Sequence, residues 1–176
     1  DLEGALEVEV ARAGGATGET TLVLESVPEK RRRLVTRRRI SRAVVALLGS
    51  RVPLHASGVG KAIFAALPDE QIEAMLKVKG LPRITENTIT APETMWASVR
   101  AIRQRGYSFD DEEHLIGTRC VASPIYDEHA EVLGAISLAG PVSRLPDTRI
   151  KLLGPVVAHI AEDITKKLCG RWPHPH

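Results

Sequence analysis

Apolar positions recur at helical spacing in some stretches of the chain and alternate or run unbroken in others, with Gly and Pro between them. Ser57 stands as an N-cap before Gly58, and Ile63, Phe64 and Leu67 form an apolar stripe, which predicts a helix opening at Gly58. Pro68-Asp69 begins a second helical pattern to about Val78, with Ile72, Met75 and Leu76 inward. Thr88 to Pro92 is extended or turned. Pro92 then opens a helix in which Met95, Val99 and Ile102 recur, and Gly106 stops it after Arg105.

Extended segments are predicted at Tyr107–Glu113 and Arg119–Tyr126, and after a turn near Glu128-His129 a third runs from Val132 to Ala139. That last segment is apolar or small on both sides, so the sheet it joins is expected to be covered on both faces. Between Pro146 and Leu168 the spacing of Ile150, Leu153, Val157, Ile160, Ile164 and Leu168 is helical, with Gly154-Pro155 expected to kink or split the helix.

The first third reads less sharply. Residues 2–13 mix helix formers with apolar spacing and stop at Gly14-Gly15, which predicts a short linker helix. Thr20–Val27, Leu34–Ile40 and Ala43–Leu48 read as strands of an antiparallel meander, broken by Gly49-Ser50-Arg51 and ended by Pro53. Helices and antiparallel strands in this order make an α+β domain, an antiparallel sheet flanked by helices.

A chain of 176 residues can bury one full core without disulfide staples. Cys120 and Cys169 show no pairing pattern and read as reduced thiols of a cytoplasmic protein. No apolar run reaches membrane-spanning length, so no membrane partner is expected. The chain starts with Asp, as a processed product or an excised fragment would.

The formal charge of +2 hides an asymmetry: Lys30, Arg31, Arg32, Arg33, Arg37, Arg38 and Arg39 lie together, and without them 17 basic residues face 22 acidic ones. Such a run could neutralise phosphates, but aromatic residues make up only 3% of the chain, which argues against stacking on single strands. A strand edge protected by positive charge is the plainer account.

The densest polar constellation is Gly106 to Asp127, where Asp110, Asp111, Glu112, Glu113, His114 and Cys120 fall within one expected hairpin. Strand alternation places Tyr107, Phe109, Asp111 and Glu113 on one side and Asp110, Glu112 and His114 on the other. The plain reading is a solvated acidic edge. His55, Asp110, His114 and Cys120 match no standard zinc spacing, so no metal and no other cofactor is expected. Cys120 with His114 across the hairpin could support nucleophilic chemistry on a carboxylate substrate, though no nucleophile signature surrounds them. Ser57-Gly58-Val59-Gly60 points backbone N–H groups and the positive end of a helix at whatever precedes it, which suits an anion; Lys61, one turn in, reads as a solvated helix residue.

The blocks Leu-His-Ala-Ser-Gly-Val-Gly-Lys-Ala (54–62), Arg-Gly-Tyr-Ser-Phe-Asp-Asp-Glu-Glu-His (105–114) with Gly117, Cys120, Ala122, Pro124-Ile125 and Asp127, and Ala-Ile-Ser-Leu-Ala-Gly-Pro (135–141) resemble the C-terminal effector-binding domain of IclR-type bacterial transcriptional regulators. The likeness spans roughly Thr17 to Leu168 and leans toward the glyoxylate-bypass repressor branch. It implies a GAF/PAS-like fold, residues 1–15 as a linker helix from a winged helix-turn-helix domain outside this chain, 16–170 as the effector-binding domain and 171–176 as a disordered tail. It also implies no enzymatic activity, a small carboxylate effector such as glyoxylate or pyruvate, a homodimer or homotetramer, and operator DNA contacted only through the absent domain.

Carried over residue by residue, the effector pocket falls on Gly58, Val59, Asp110, Cys120 and Ser137, with Val44, Val52 and Thr118 as walls. One family serine, two positions beyond Ser137, is Ala139 here. Asp111 and Glu113 are expected to face away from that pocket.

Overall fold

The computed structural model describes residues 7–12, 19–22 and 51–173, with backbone alone for the first two segments and for Arg51. In chain order the elements are β1 (Glu7–Arg12), β2 (Glu19–Leu22), β3 (Arg51–Pro53), α1 (Gly58–Ala66), α2 (Asp69–Lys79), α3 (Pro92–Arg105), β4 (Ser108–Asp111), β5 (Thr118–Tyr126), β6 (Val132–Pro141), a 3-10 turn (Val142–Arg144) and α4 (Asp147–Lys167). The strands form one sheet in the order β3-β2-β1-β6-β5-β4. Each pairing is antiparallel. The α+β architecture expected from the sequence is the one observed.

The sheet is covered on both faces because its central strands are apolar on both. Ala122 and Ala135 turn toward α1, where Val52, Leu54, Val59, Ile63, Phe64, Ile72, Met95, Val99 and Ile102 complete one core. Their neighbours Val121, Ile136 and Leu138 turn the other way and meet Ile150, Leu153, Val157 and Ala161 of α4. Tiny side chains on the α1 side let the helix sit close to the strands. Larger ones on the other side pack against α4.

Several expectations are corrected. Glu7–Arg12 is a strand and not a helix, with Val8 opposite Leu138 and Val10 opposite Ile136. Its Glu-Val-Glu-Val core alternates as a strand does, and without it the long strand β6 would leave one edge of backbone donors and acceptors unpaired. Arg51 opens β3 where a break was expected, although Pro53 closes that strand as predicted. The strand expected from Thr20 overlaps β2 through Leu22; its remainder, the strands expected at Leu34–Ile40 and Ala43–Leu48, and the basic run from Lys30 to Arg39 lie outside the described residues.

α4 runs unbroken through Pro155. The proline lies on the exposed side of the helix, where the carbonyl it leaves unpaired can be hydrated. Gly154 is buried beneath Tyr107, whose ring occupies the space a Cβ would need. Ile160 and Leu168 are exposed, while Ala161 and Thr165 take the buried positions. The expected disordered tail is held at its start: Arg171 N–H donates to the Asp127 carbonyl at 2.8 Å, and Trp172 meets Tyr126 edge to face, 5.1 Å between ring centroids.

Candidate functional site

α1 begins where the sequence places it. Ser57 is the N-cap; its Oγ accepts from Gly60 N–H at 3.1 Å and donates to the Pro53 carbonyl at 2.9 Å. Lys61 N–H reaches the Ser57 carbonyl at 2.8 Å. The cap therefore consumes the Gly60 donor. Gly58 and Val59 remain as first-turn donors at the positive end of the helix.

Gly58 lies directly on Cys120, so close that any Cβ at position 58 would collide with Sγ. Cys120 is opposite Asp110 in the β4–β5 register and opposite Ala139 in the β5–β6 register. Thr118 and Ala122 share its side of β5 by alternation, and Ser137 lies across from Ala122. The structure thus brings Gly58, Val59, Asp110, Cys120 and Ser137 onto the α1 side of the sheet, with half-buried Thr118 at the end of β5. Val52 is a core residue of the β3 edge, and Val44 lies outside the described residues.

The acids separate into distinct environments. Asp111 pairs with Arg119 at 2.7 Å on the α4 side, as expected for a residue facing away, and Glu112 accepts from Gly117 N–H at 2.6 Å in the turn. Asp110 is buried, and that burial pushes its carboxyl up to about 7 against the pull of Lys61 and of the Glu113 N–H that donates to Oδ1 at 2.8 Å. A carboxyl in that state can donate or accept near neutral pH. His114, half-buried, is held below its ordinary value by burial and then by nearby His55, whose Nε2 lies 2.9 Å from the Pro82 carbonyl.

Two expectations at this site are overturned. Lys61 is buried, and its Nζ donates to the Phe109 carbonyl and to Glu113 Oε1. Glu113 turns inward to meet it, and its Oε2 is buried without a hydrogen-bond partner. Strand parity failed because β4 ends at Asp111 and Glu112 adopts a left-handed φ of 60°, which resets the direction of the next side chain. The turn is pinned by Thr85 Oγ1 to the Glu112 carbonyl at 2.7 Å and by Thr88 Oγ1 to the Glu113 carbonyl at 2.8 Å, roles that nothing in the sequence suggested. For Lys61 a signal existed: it is the sole charge in a nine-residue helix that is otherwise apolar, small or glycine. Such a helix is buried all round, and its lysine requires an acid.

Cys120 is buried, and its Sγ lies 3.8 Å from the Val121 carbonyl; Cys169 is exposed. Among the described residues no group of three or more His, Cys, Asp or Glu could hold a metal ion, and no helix is long and apolar enough to cross a membrane.

A family model described as the C-terminal domain of the bacterial transcriptional regulator IclR matches residues 32–166. The chain is 47% identical over 118 residues to the acetate operon repressor of Salmonella typhimurium, covering 67% of this chain and 43% of that protein. It is 45% identical over 118 residues to the transcriptional repressor IclR of Escherichia coli, with the same coverage. Among solved structures, the IclR of Thermotoga maritima superposes with a TM-score of 0.76 at 29% identity, over 94% of this chain and 62% of that one. The chain thus spans less than half the length of the curated relatives it matches. With a family match over most of its length and a fold shared with a solved relative, the chain belongs to the IclR C-terminal family of bacterial transcriptional regulators.

Proposed function

We propose that this chain senses a small carboxylate metabolite, a 2-oxo acid such as glyoxylate or pyruvate, and couples its binding to the quaternary state of a homo-oligomeric regulator. The ligand carboxylate is received by the Gly58 and Val59 N–H groups, and its carbonyl or hydrate oxygens by Ser137 and Asp110. Operator DNA is contacted by a winged helix-turn-helix domain outside these residues. The observation that carries this reading is the meeting of a capped helix start with Cys120 and a near-neutral Asp110 on one sheet face.

Asp110 resolves an electrostatic difficulty in the proposal. An ionised aspartate would repel an incoming anion, whereas a carboxyl titrating at about 7 can be protonated and donate to it. Ala139 in place of a family serine leaves one hydroxyl fewer for the ligand, which favours a smaller or less hydroxylated acid. Family membership, with two relatives that are repressors, weighs against an enzyme built on Cys120 and His114.

Coupling requires only that the ligand bind one arrangement of subunits more tightly than another. Thermal denaturation across a panel of small 2-oxo and hydroxy acids tests the ligand class, because a ligand that binds only the folded chain raises its midpoint. A concentration-dependent rise with at least one panel member is expected. An unchanged midpoint with all of them contradicts the proposal.

A further inference from the structure

α4 carries two apolar faces, and only one of them is used by the sheet. Ile150, Leu153, Val157 and Ala161 are buried, while Leu152 is 72% exposed, Val156 48% and Ile160 42%. Four-residue spacing puts these last three in one band along the helix, each about 40° round from the last. Arg149 lies seven residues before Val156 and Asp163 seven after, which at 3.6 residues per turn places both within about 20° of the direction of Val156. The stripe therefore has an apolar middle, a cation at one end and an anion at the other, all symmetric in spacing about Val156.

That arrangement is self-complementary in one orientation. With a second helix antiparallel about a twofold axis at Val156, Leu152 meets the partner's Ile160 and Arg149 meets the partner's Asp163, twice over. A parallel pair would set like charges against each other at both ends. Neither end charge is firmly held by its own chain among the described residues: Arg149 reaches the Arg144 carbonyl at 3.4 Å, and Asp163 lies 3.7 Å from His159. A lipid surface suits the stripe less well, since interfacial helices flank their apolar face with cations and here Asp163 interrupts the flank between Arg149 and Lys167.

We infer that this face of α4 is the docking surface for α4 of a second copy of the chain, the two helices packing antiparallel about a twofold axis at Val156. The inference deepens the quaternary part of the proposed function and rests on the chain being a homo-oligomer. It assigns the contact to the helix that also closes the second core, so that movement of the sheet is passed to the subunit boundary through Leu153 and Val157, which adjoin the stripe on the buried side.

Solution mass by light scattering, read over a dilution series, tests it with the chain and its variants. The chain is expected to be at least dimeric, and Val156→Glu to lower its mass by one association step while its circular dichroism stays folded. Arg149→Asp or Asp163→Arg alone should raise the dissociation constant several-fold, and the two together should restore it, because the cross-helix pairs are re-formed with signs exchanged. Should Val156→Glu fail to fold, these charge variants and Val156→Cys decide the matter; in a Cys169→Ser background Val156→Cys should oxidise to a covalent dimer. A wild-type monomer overturns both the homo-oligomer reading and this contact, as it would if another segment of the chain covered the stripe. An oligomer whose mass is untouched by Val156→Glu or by either charge reversal, and which forms no Val156→Cys disulfide, overturns the contact alone.

Discussion

Lys61 and Glu113, 52 residues apart in the chain, form an ion pair whose side chains are only 3% and 7% exposed. The pair joins the first turn of α1 to the loop after β4, and so ties together two segments that build the candidate site. Removing one partner strands the other charge in the interior. Lys61→Met is therefore expected to destabilise the domain by about 3–5 kcal/mol, whereas Lys61→Met with Glu113→Leu recovers most of that loss. Urea denaturation of the single and double variants measures both. Equal losses in the two would mean that the pair is not the cause.

The contact between Gly58 and Cys120 predicts a steric double-mutant pattern. Gly58→Ala places a Cβ on Cys120 Sγ, so either the helix start or the strand must give, at about 1–3 kcal/mol. Cys120→Ala removes the offending sulfur and is expected to return part of the stability in the double variant. Additive losses would place the strain elsewhere.

Asp110 makes stability depend on pH with a definite sign. Its folded-state value, raised by burial to about 7, lies above the ordinary carboxylate range, so between about pH 4 and 7 the unfolded chain gives up a proton that the folded chain keeps. Stability contributed by the neutral carboxyl is full below pH 4 and falls as pH rises to 7, by on the order of 2–4 kcal/mol. Asp110→Asn should flatten that part of the profile and be more stable than the parent at pH 8. An identical slope in parent and variant, measured by denaturant unfolding across this range, would refute the assignment.

How legible the fold was depended on whether a local rule or a distant contact decided each element. The start of α1 at Ser57, the span from Pro92 to Gly106 and the β5–β6 pair follow from caps, prolines and apolar pattern, and they are where the sequence puts them. Glu7–Arg12 was misread because its strand state is set by β6, more than a hundred residues away, which outweighs modest helix propensity. Pro155 was overrated as a breaker, since an exposed proline leaves its orphan carbonyl to water. At the candidate site, Gly58, Asp110, Cys120 and Ser137 came from the family resemblance, and the structure gathers them on one face of the sheet. The inward turn of Glu113 was not legible, because it hangs on a left-handed Glu112 that no side-chain pattern announces.

Titration calorimetry with glyoxylate, pyruvate and small hydroxy acids tests the central claim most directly, on the parent chain and on Ser137→Ala and Asp110→Ala. The account predicts saturable binding of at least one acid at one site per chain, weakened about tenfold by either substitution, since each removes a hydrogen-bonding group worth about 1.4 kcal/mol. It also predicts net proton uptake on binding near pH 7, read from the dependence of the heat on buffer ionisation enthalpy, as Asp110 takes a proton to admit the anion. Absence of binding by every acid, or binding that neither substitution alters, would contradict it.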